Sequence, residues 1–140
     1  MKRGAANETQ PFAFRLDAHS GVPVYRQLMD QVQTAMASGT LVAGDQLPTV
    51  RQVAVDLAIN PNTVLRAYRE MEIRRLLDTQ QGMGTFIADK KVEFSKDERE
   101  RKLRQLAGEF VSRAGASGFT LKQLITVLHE LSPEEEFKRK

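Results

Sequence analysis

Between two stretches of helical periodicity, the dipeptide Asn60-Pro61 leaves almost no room for a connection, and this constrains the chain more than any other feature. Upstream, Thr49-Val50-Arg51-Gln52 has the form of a capping box, in which Thr49 caps the Gln52 amide and the Gln52 side chain reaches back. Val50, Val53, Ala54 and Leu57 then make one apolar side. Asn60 is a good N-cap, and Pro61, having no amide hydrogen to lose, a good first residue, so a second helix begins at once over 61–75. Two helices joined by about three or four residues predict a helix-turn-helix. On the second of them Val64, Ala67, Tyr68 and Met71 share a face, and no glycine follows to stop it.

The flanking segments are shorter signals of the same kind. Phe12, Phe14 and Leu16 alternate with Ala13, Arg15 and Asp17, which predicts a short half-buried strand ending at His19-Ser20-Gly21. Pro23 stands where a first helical residue would. Val24, Leu28, Val32 and Met36 follow at four-residue spacing until Ser38-Gly39 closes the helix. After the helix-turn-helix, residues 76–80 and 85–88 flank Gln81-Gly82-Met83-Gly84 and read as a β-hairpin. Two further capping boxes, Ser95 with Glu98 and Thr120 with Gln123, open two more amphipathic helices, separated by a break over Gly115–Gly118 and ended by Ser132-Pro133.

The predicted class is mainly α with a small β-hairpin wing: a winged helix-turn-helix domain over 12–89, then a short two-helix carboxy-terminal dimerisation hairpin over 96–132. Residues 1–11 are expected to be disordered, 90–95 to be a linker and 133–140 a frayed tail. With 140 residues there is room for one domain and an appendage.

Lys and Arg total 21 against 18 Asp and Glu, so a nucleic-acid partner would have to be met by placed cations, not massed ones. Seven Phe and two Tyr, mostly within apolar patterns, do not make a stacking platform for single strands. The absence of cysteine removes disulfides and zinc-thiolate sites, while His19 and His129 are too isolated to suggest a metal site. The amino terminus has two early cations and no apolar run behind them, so neither a signal peptide nor a membrane contact is expected, and the chain reads as cytoplasmic. No nucleophile is paired with a base and no Gly-Lys loop is set to cradle phosphate, so no enzyme and no cofactor is expected.

Opposite the apolar face of the second helix lie Asn62, Arg66 and Arg69, with Thr63 and Arg74 at the margin. Amides pair with adenine, guanidinium with guanine, and both grip phosphates, so this face suits a double-stranded DNA operator. In a helix-turn-helix the first turns of the second helix meet the bases, which puts Asn62, Thr63 and Arg66 forward, with Thr49 and Arg51 placed for backbone or a nearby base.

The stretches GVPVYRQL, GDQLPTVRQVAVDLAINPNTVLRAYREME and GMGTFI together resemble the DNA-binding domain of the GntR family of bacterial transcription regulators, YtrA-type subfamily, from Phe14 to Ala88. The resemblance implies an operator contact at Arg51, contacts at Asn60, Asn62 and Thr63 around the start of the recognition helix, and a wing of Gly82, Gly84 and Thr85 at the minor groove. It also implies a repressor of a transporter operon and of its own gene. The chain departs from the family in having Leu65-Arg66 where many relatives carry Arg first, Gln81 and Met83 in place of cations beside the wing glycine, and Arg75 where a glycine is usual.

The last two helices carry apolar stripes, Leu103, Leu106 and Phe110 on one and Leu121, Leu124, Leu128 and Leu131 on the other. A hairpin of about 45 residues cannot bury both alone, which predicts a symmetric homodimer presenting two recognition helices to a palindromic site. It is also too small to enclose an ordinary metabolite, so any effector would sit between domains or subunits. The competing expectation is a winged-helix module that bridges proteins through these helices.

Overall fold

The computed structural model describes residues 12–89 and 95–132. The expectations for 1–11, for 90–94 of the linker and for 133–140 lie outside the described residues. The chain divides into two compact units, with the boundary between Lys90 and Lys91.

In the first unit the order is α1 (Val24–Ser38), β1 (Gln46–Leu47), α2 (Val50–Leu57), α3 (Pro61–Ile73), β2 (Leu77–Gln80) and β3 (Gly84–Ile87). The predicted apolar faces are the buried ones: Leu28, Met29, Val32 and Ala35 on α1, Val53 and Ala54 on α2, and Val64, Ala67, Tyr68 and Met71 on α3. They form a single core with Phe14, Leu41, Leu47, Leu77 and Ile87. Each large apolar side chain fully buried there contributes about 1.5–3 kcal/mol.

Several local expectations are corrected. Phe12 to Leu16 keeps its alternation, with Phe14 buried between exposed Ala13 and Arg15, but it is not a strand. Among the described residues no neighbouring backbone pairs with it. The Gln31 amide takes that place, accepting from the Arg15 amide at 2.9 Å and donating to its carbonyl at 2.6 Å, while Gln27 clasps Asp17 in the same way. A side-chain amide has the donor and acceptor of a peptide group, and so satisfies this backbone without a sheet. Pro23 is the N-cap of α1, one position before its expected place, because its ψ of 145° is extended.

The hairpin gains a third strand. Gln46–Leu47, for which no strand was expected, pairs antiparallel with β3, giving the order β1-β3-β2. Two residues carry no alternation to detect. At Thr49 only half of the capping box forms: its hydroxyl accepts from the Gln52 amide at 3.0 Å, but the Gln52 side chain turns along the helix to Asp56.

Helices α2 and α3 both end on a left-handed residue that is not glycine. Ala58 has φ 56° and Arg75 φ 64°. The following amides, of Ile59 and Leu76, return to the carbonyls of Ala54 and Met71 at 3.0 and 2.8 Å, while Ala58 and Arg75 bond to Val55 and Glu72. This is the Schellman arrangement, which satisfies the last carbonyls of each helix. Helix α3 therefore stops at Ile73 without a glycine.

The second unit contains α4 (Lys96–Ala116) and α5 (Leu121–Glu130). Both capping boxes predicted there are complete, with the Ser95 and Thr120 hydroxyls accepting from the Glu98 and Gln123 amides at 3.1 Å and the reciprocal bonds returned. Asp97 and Glu98 at the start of α4 and Arg113 near its end suit its dipole. Helix α4 runs through Gly115, where a break was expected, and the turn is made at Gly118, with φ 91°. Neither helix has a buried residue.

Candidate nucleic-acid interface

The turn between α2 and α3 is built by two side chains that occupy themselves with the backbone. Asn60 Oδ1 accepts from the Asn62 amide at 2.8 Å and Thr49 Oγ1 from the Gln52 amide. Their acceptors are thus committed, while the Asn60 side-chain amide hydrogens and the Thr49 hydroxyl hydrogen remain to be donated. Arg51, on the first turn of α2, is exposed, and so are Asn62 and Arg69 on α3; Thr63 is half buried. Among the described residues, none of these four side chains takes a hydrogen bond or ion pair. Arg74 is the contrasting case, paired with Glu70 at 3.7 Å.

Arg66 is exposed but not idle. Its guanidinium carbon lies 3.8 Å from the centroid of the Tyr25 ring, on the second residue of α1. Tyr25 is half buried and its ring packs on the core. A tyrosine at that position carries no local mark of a partner on α3.

The α3 helix is fixed on its inner side by Tyr68, whose hydroxyl donates to the Pro48 carbonyl between β1 and α2. Burial pushes the Tyr68 phenol well above its ordinary pKa, so it stays a donor. At its far end Glu72 accepts from the Thr79 hydroxyl on β2, and Thr79 meets Thr85 on β3 at 3.2 Å.

The wing is the turn between β2 and β3. Gly82 has φ 80° and Met83, beside it, is 67% exposed. Gly84 and Thr85 sit in the central strand, paired with Gln80 and Thr79. Gly84 has φ 128°, and a Cβ there would run into the Gln46 side-chain amide, which donates to the Met83 carbonyl at 3.1 Å. Gly84 thus has a packing role as well as its expected place in the wing. From Thr79 to Thr85 no residue is charged.

In the second unit the expected dimerisation residues are surface residues of this chain. Leu103, Leu106, Phe110, Leu121, Leu128 and Leu131 are between 44% and 64% exposed, and Leu124 is half buried.

No helix among the described residues is long and apolar enough to cross a membrane. Comparison with known proteins gives a consistent set of likenesses. The sequence model of the family described as "Bacterial regulatory proteins, gntR family" matches residues 24–87. Over 106 residues the chain is 35% identical to the "Uncharacterized HTH-type transcriptional regulator YhcF" of Bacillus subtilis, covering 76% of this chain and 87% of that one. Over 120 residues it is 28% identical to the "HTH-type transcriptional repressor YtrA" of the same organism, covering 86% and 92%. A solved structure from Listeria monocytogenes EGD-e, described as a transcriptional antiterminator, matches with a TM-score of 0.63 and 26% identity, over 85% of this chain and 89% of that one.

Proposed function

The chain belongs to the GntR family of bacterial regulatory proteins, and from that premise we propose that it is a homodimeric repressor that binds a palindromic operator. It is a DNA-binding transcription regulator and not an enzyme. In this reading residues 12–89 contact DNA, with α3 in the major groove and the wing at the minor groove. Arg51, Asn62, Thr63 and Arg66 make the leading contacts, Arg69 a further one, and Thr49, Asn60, Gly82, Gly84 and Thr85 the remainder. Residues 96–132 join two copies, and the work is done in the cytoplasm.

The observation that carries the proposal is the face of α3 and α2. Arg51, Asn62 and Arg69 stand exposed with no ion pair or side-chain hydrogen bond among the described residues, on a helix pair packed against the core, and an amide with guanidiniums is the set that reads and grips DNA. Dimerisation is supported by the apolar stripes of α4 and α5, since an isologous interface buries the same stripes twice. Repression, and control of a transporter operon with its own gene, are supported by the likeness to the YtrA repressor and by the subfamily resemblance.

Mobility shift against the DNA upstream of its own gene tests the proposal. If the dimer neutralises about six to ten phosphates, affinity falls about a thousandfold or more between about 50 and 200 mM salt. Arg51→Ala should weaken binding by about tenfold or more. Binding that ignores salt, or an Arg51→Ala protein as tight as the wild type, contradicts these roles. The uncharged wing is the feature that favours a protein-bridging module, and retention of a protein partner in the presence of excess competitor DNA would support that reading.

A further inference from the structure

We propose that Tyr25 is a positioning residue for DNA binding, its ring holding the Arg66 guanidinium as a clamp for a backbone phosphate. Arg66 then sets affinity and leaves sequence reading to Asn62 and Thr63. The inference rests on the DNA-binding reading above and specifies which of its contacts are indifferent to sequence.

Four residues along α3 from Asn62, Arg66 is displaced about 40° around the helix, whereas Arg69 is displaced only about 20° the other way. Asn62 thus stands nearest the middle of the outward face, opposite buried Met71 and Val64, with Arg66 and Arg69 flanking it on either side. From its flank the Arg66 side chain reaches across to α1, where its carbon lies 3.8 Å from the Tyr25 ring centroid. The ring is anchored, being half buried against the core. Glu70, the nearby acid one turn along α3, is engaged with Arg74 at 3.7 Å.

A guanidinium stacked on a ring presents its π face to the ring and keeps its N–H donors in its own plane, directed outward. Stacking therefore fixes the side chain's direction without using a donor. The direction it fixes is towards α1, off the first turn of α3 where Asn62 and Thr63 stand. A base-reading arginine must point along the groove floor beneath the helix, while a phosphate lies at the groove's edge. The stack holds Arg66 at the edge.

The test uses the full chain and an operator duplex that the wild type enriches from random-sequence DNA, with a panel of single-base-pair variants. Arg66→Ala should lower affinity about tenfold, by the same factor on every duplex, and reduce the slope of log affinity against log salt by about one. Tyr25→Leu should lower affinity about threefold to fivefold and Tyr25→Phe should restore it, since only the ring is needed. The double variant Tyr25→Leu, Arg66→Ala should be no weaker than Arg66→Ala alone. Arg66→Ala is a surface change, and the cycle is read on variants whose thermal unfolding matches the wild type. Loss of discrimination at one base pair in Arg66→Ala overturns the phosphate role. Additive losses, or a Tyr25→Phe protein as weak as Tyr25→Leu, overturn the positioning role. A wild type that enriches no duplex overturns the DNA-binding reading itself, a result distinct from any of these.

Discussion

Helices α3 and α4 are both amphipathic, yet α3 buries four residues and α4 none. The local signals run the other way. Both helices of the carboxy-terminal unit open on complete capping boxes, whereas α2 forms only half of one and α1 has no side-chain cap. A short helix is marginal in water, and where a packed core supplies its stability the ends need little help. Where no residue of the helix is fully buried, the reciprocal caps at its start are complete. Periodicity marks which face of a helix is to be covered, and it is silent on whether the cover comes from the same chain.

The contrast can be broken by paired truncations. Met71→Ala, at a fully buried site, should cost about 2–5 kcal/mol of unfolding free energy at any protein concentration. Phe110→Asp should leave the unfolding of the first unit unchanged and raise the dimer dissociation constant by about thirtyfold or more, read by sedimentation equilibrium. If Phe110→Asp leaves association untouched, the proposed role of the α4 stripe is wrong.

A titration sharpens the same contrast, because the chain's two tyrosines, Tyr25 and Tyr68, both lie in the first unit. The Tyr68 pKa is raised by burial, so its contribution is complete below the unfolded value near 10 and is lost as pH rises towards the folded value. Stability of the first unit should fall by up to about 1.4 kcal/mol per pH unit above pH ~10, and Tyr68→Phe should flatten that loss relative to wild type. Denaturant melts at several alkaline pH values decide it.

The smallest effect concerns the stops. The turn after α4 uses Gly118, but α2 and α3 end on Ala58 and Arg75 in the left-handed region. Arg75→Gly should stabilise the first unit by about 0.5–1 kcal/mol, because relief of the Cβ clash exceeds the entropy a glycine adds to the unfolded chain. A loss of stability on this change would mean that the arginine side chain holds the turn in place.

Much of this architecture was legible from the sequence. Asn60-Pro61, the Val64 to Met71 face and the Gly82 turn each carry a local physical mark, and each forms where expected. What escaped depends on a partner distant in sequence. Gln46–Leu47 becomes a strand only because β3 passes beside it, and Phe12 to Leu16 fails to become one because two glutamines on α1 satisfy it first. For the candidate interface, helical geometry gave the outward residues of α3, but not that Arg66 has a ring on α1 to rest upon. The absence of glycine at position 75 suggested a longer helix, yet satisfied carbonyls in the Schellman turn outweigh the strain of one left-handed residue.

The Gln46 amide that holds the Met83 carbonyl has a mechanical consequence. Only Pro48 and Thr49 separate β1 from α2, and Tyr68 pins Pro48 to α3. Wing tip, turn and helix are therefore tied in series, Met83 to β1 through Gln46 and Pro48 to α3 through Tyr68. In the proposed DNA-binding reading, this series of bonds would hold the spacing of wing and helix, and a duplex whose grooves are spaced a little wide would have to bend to fit.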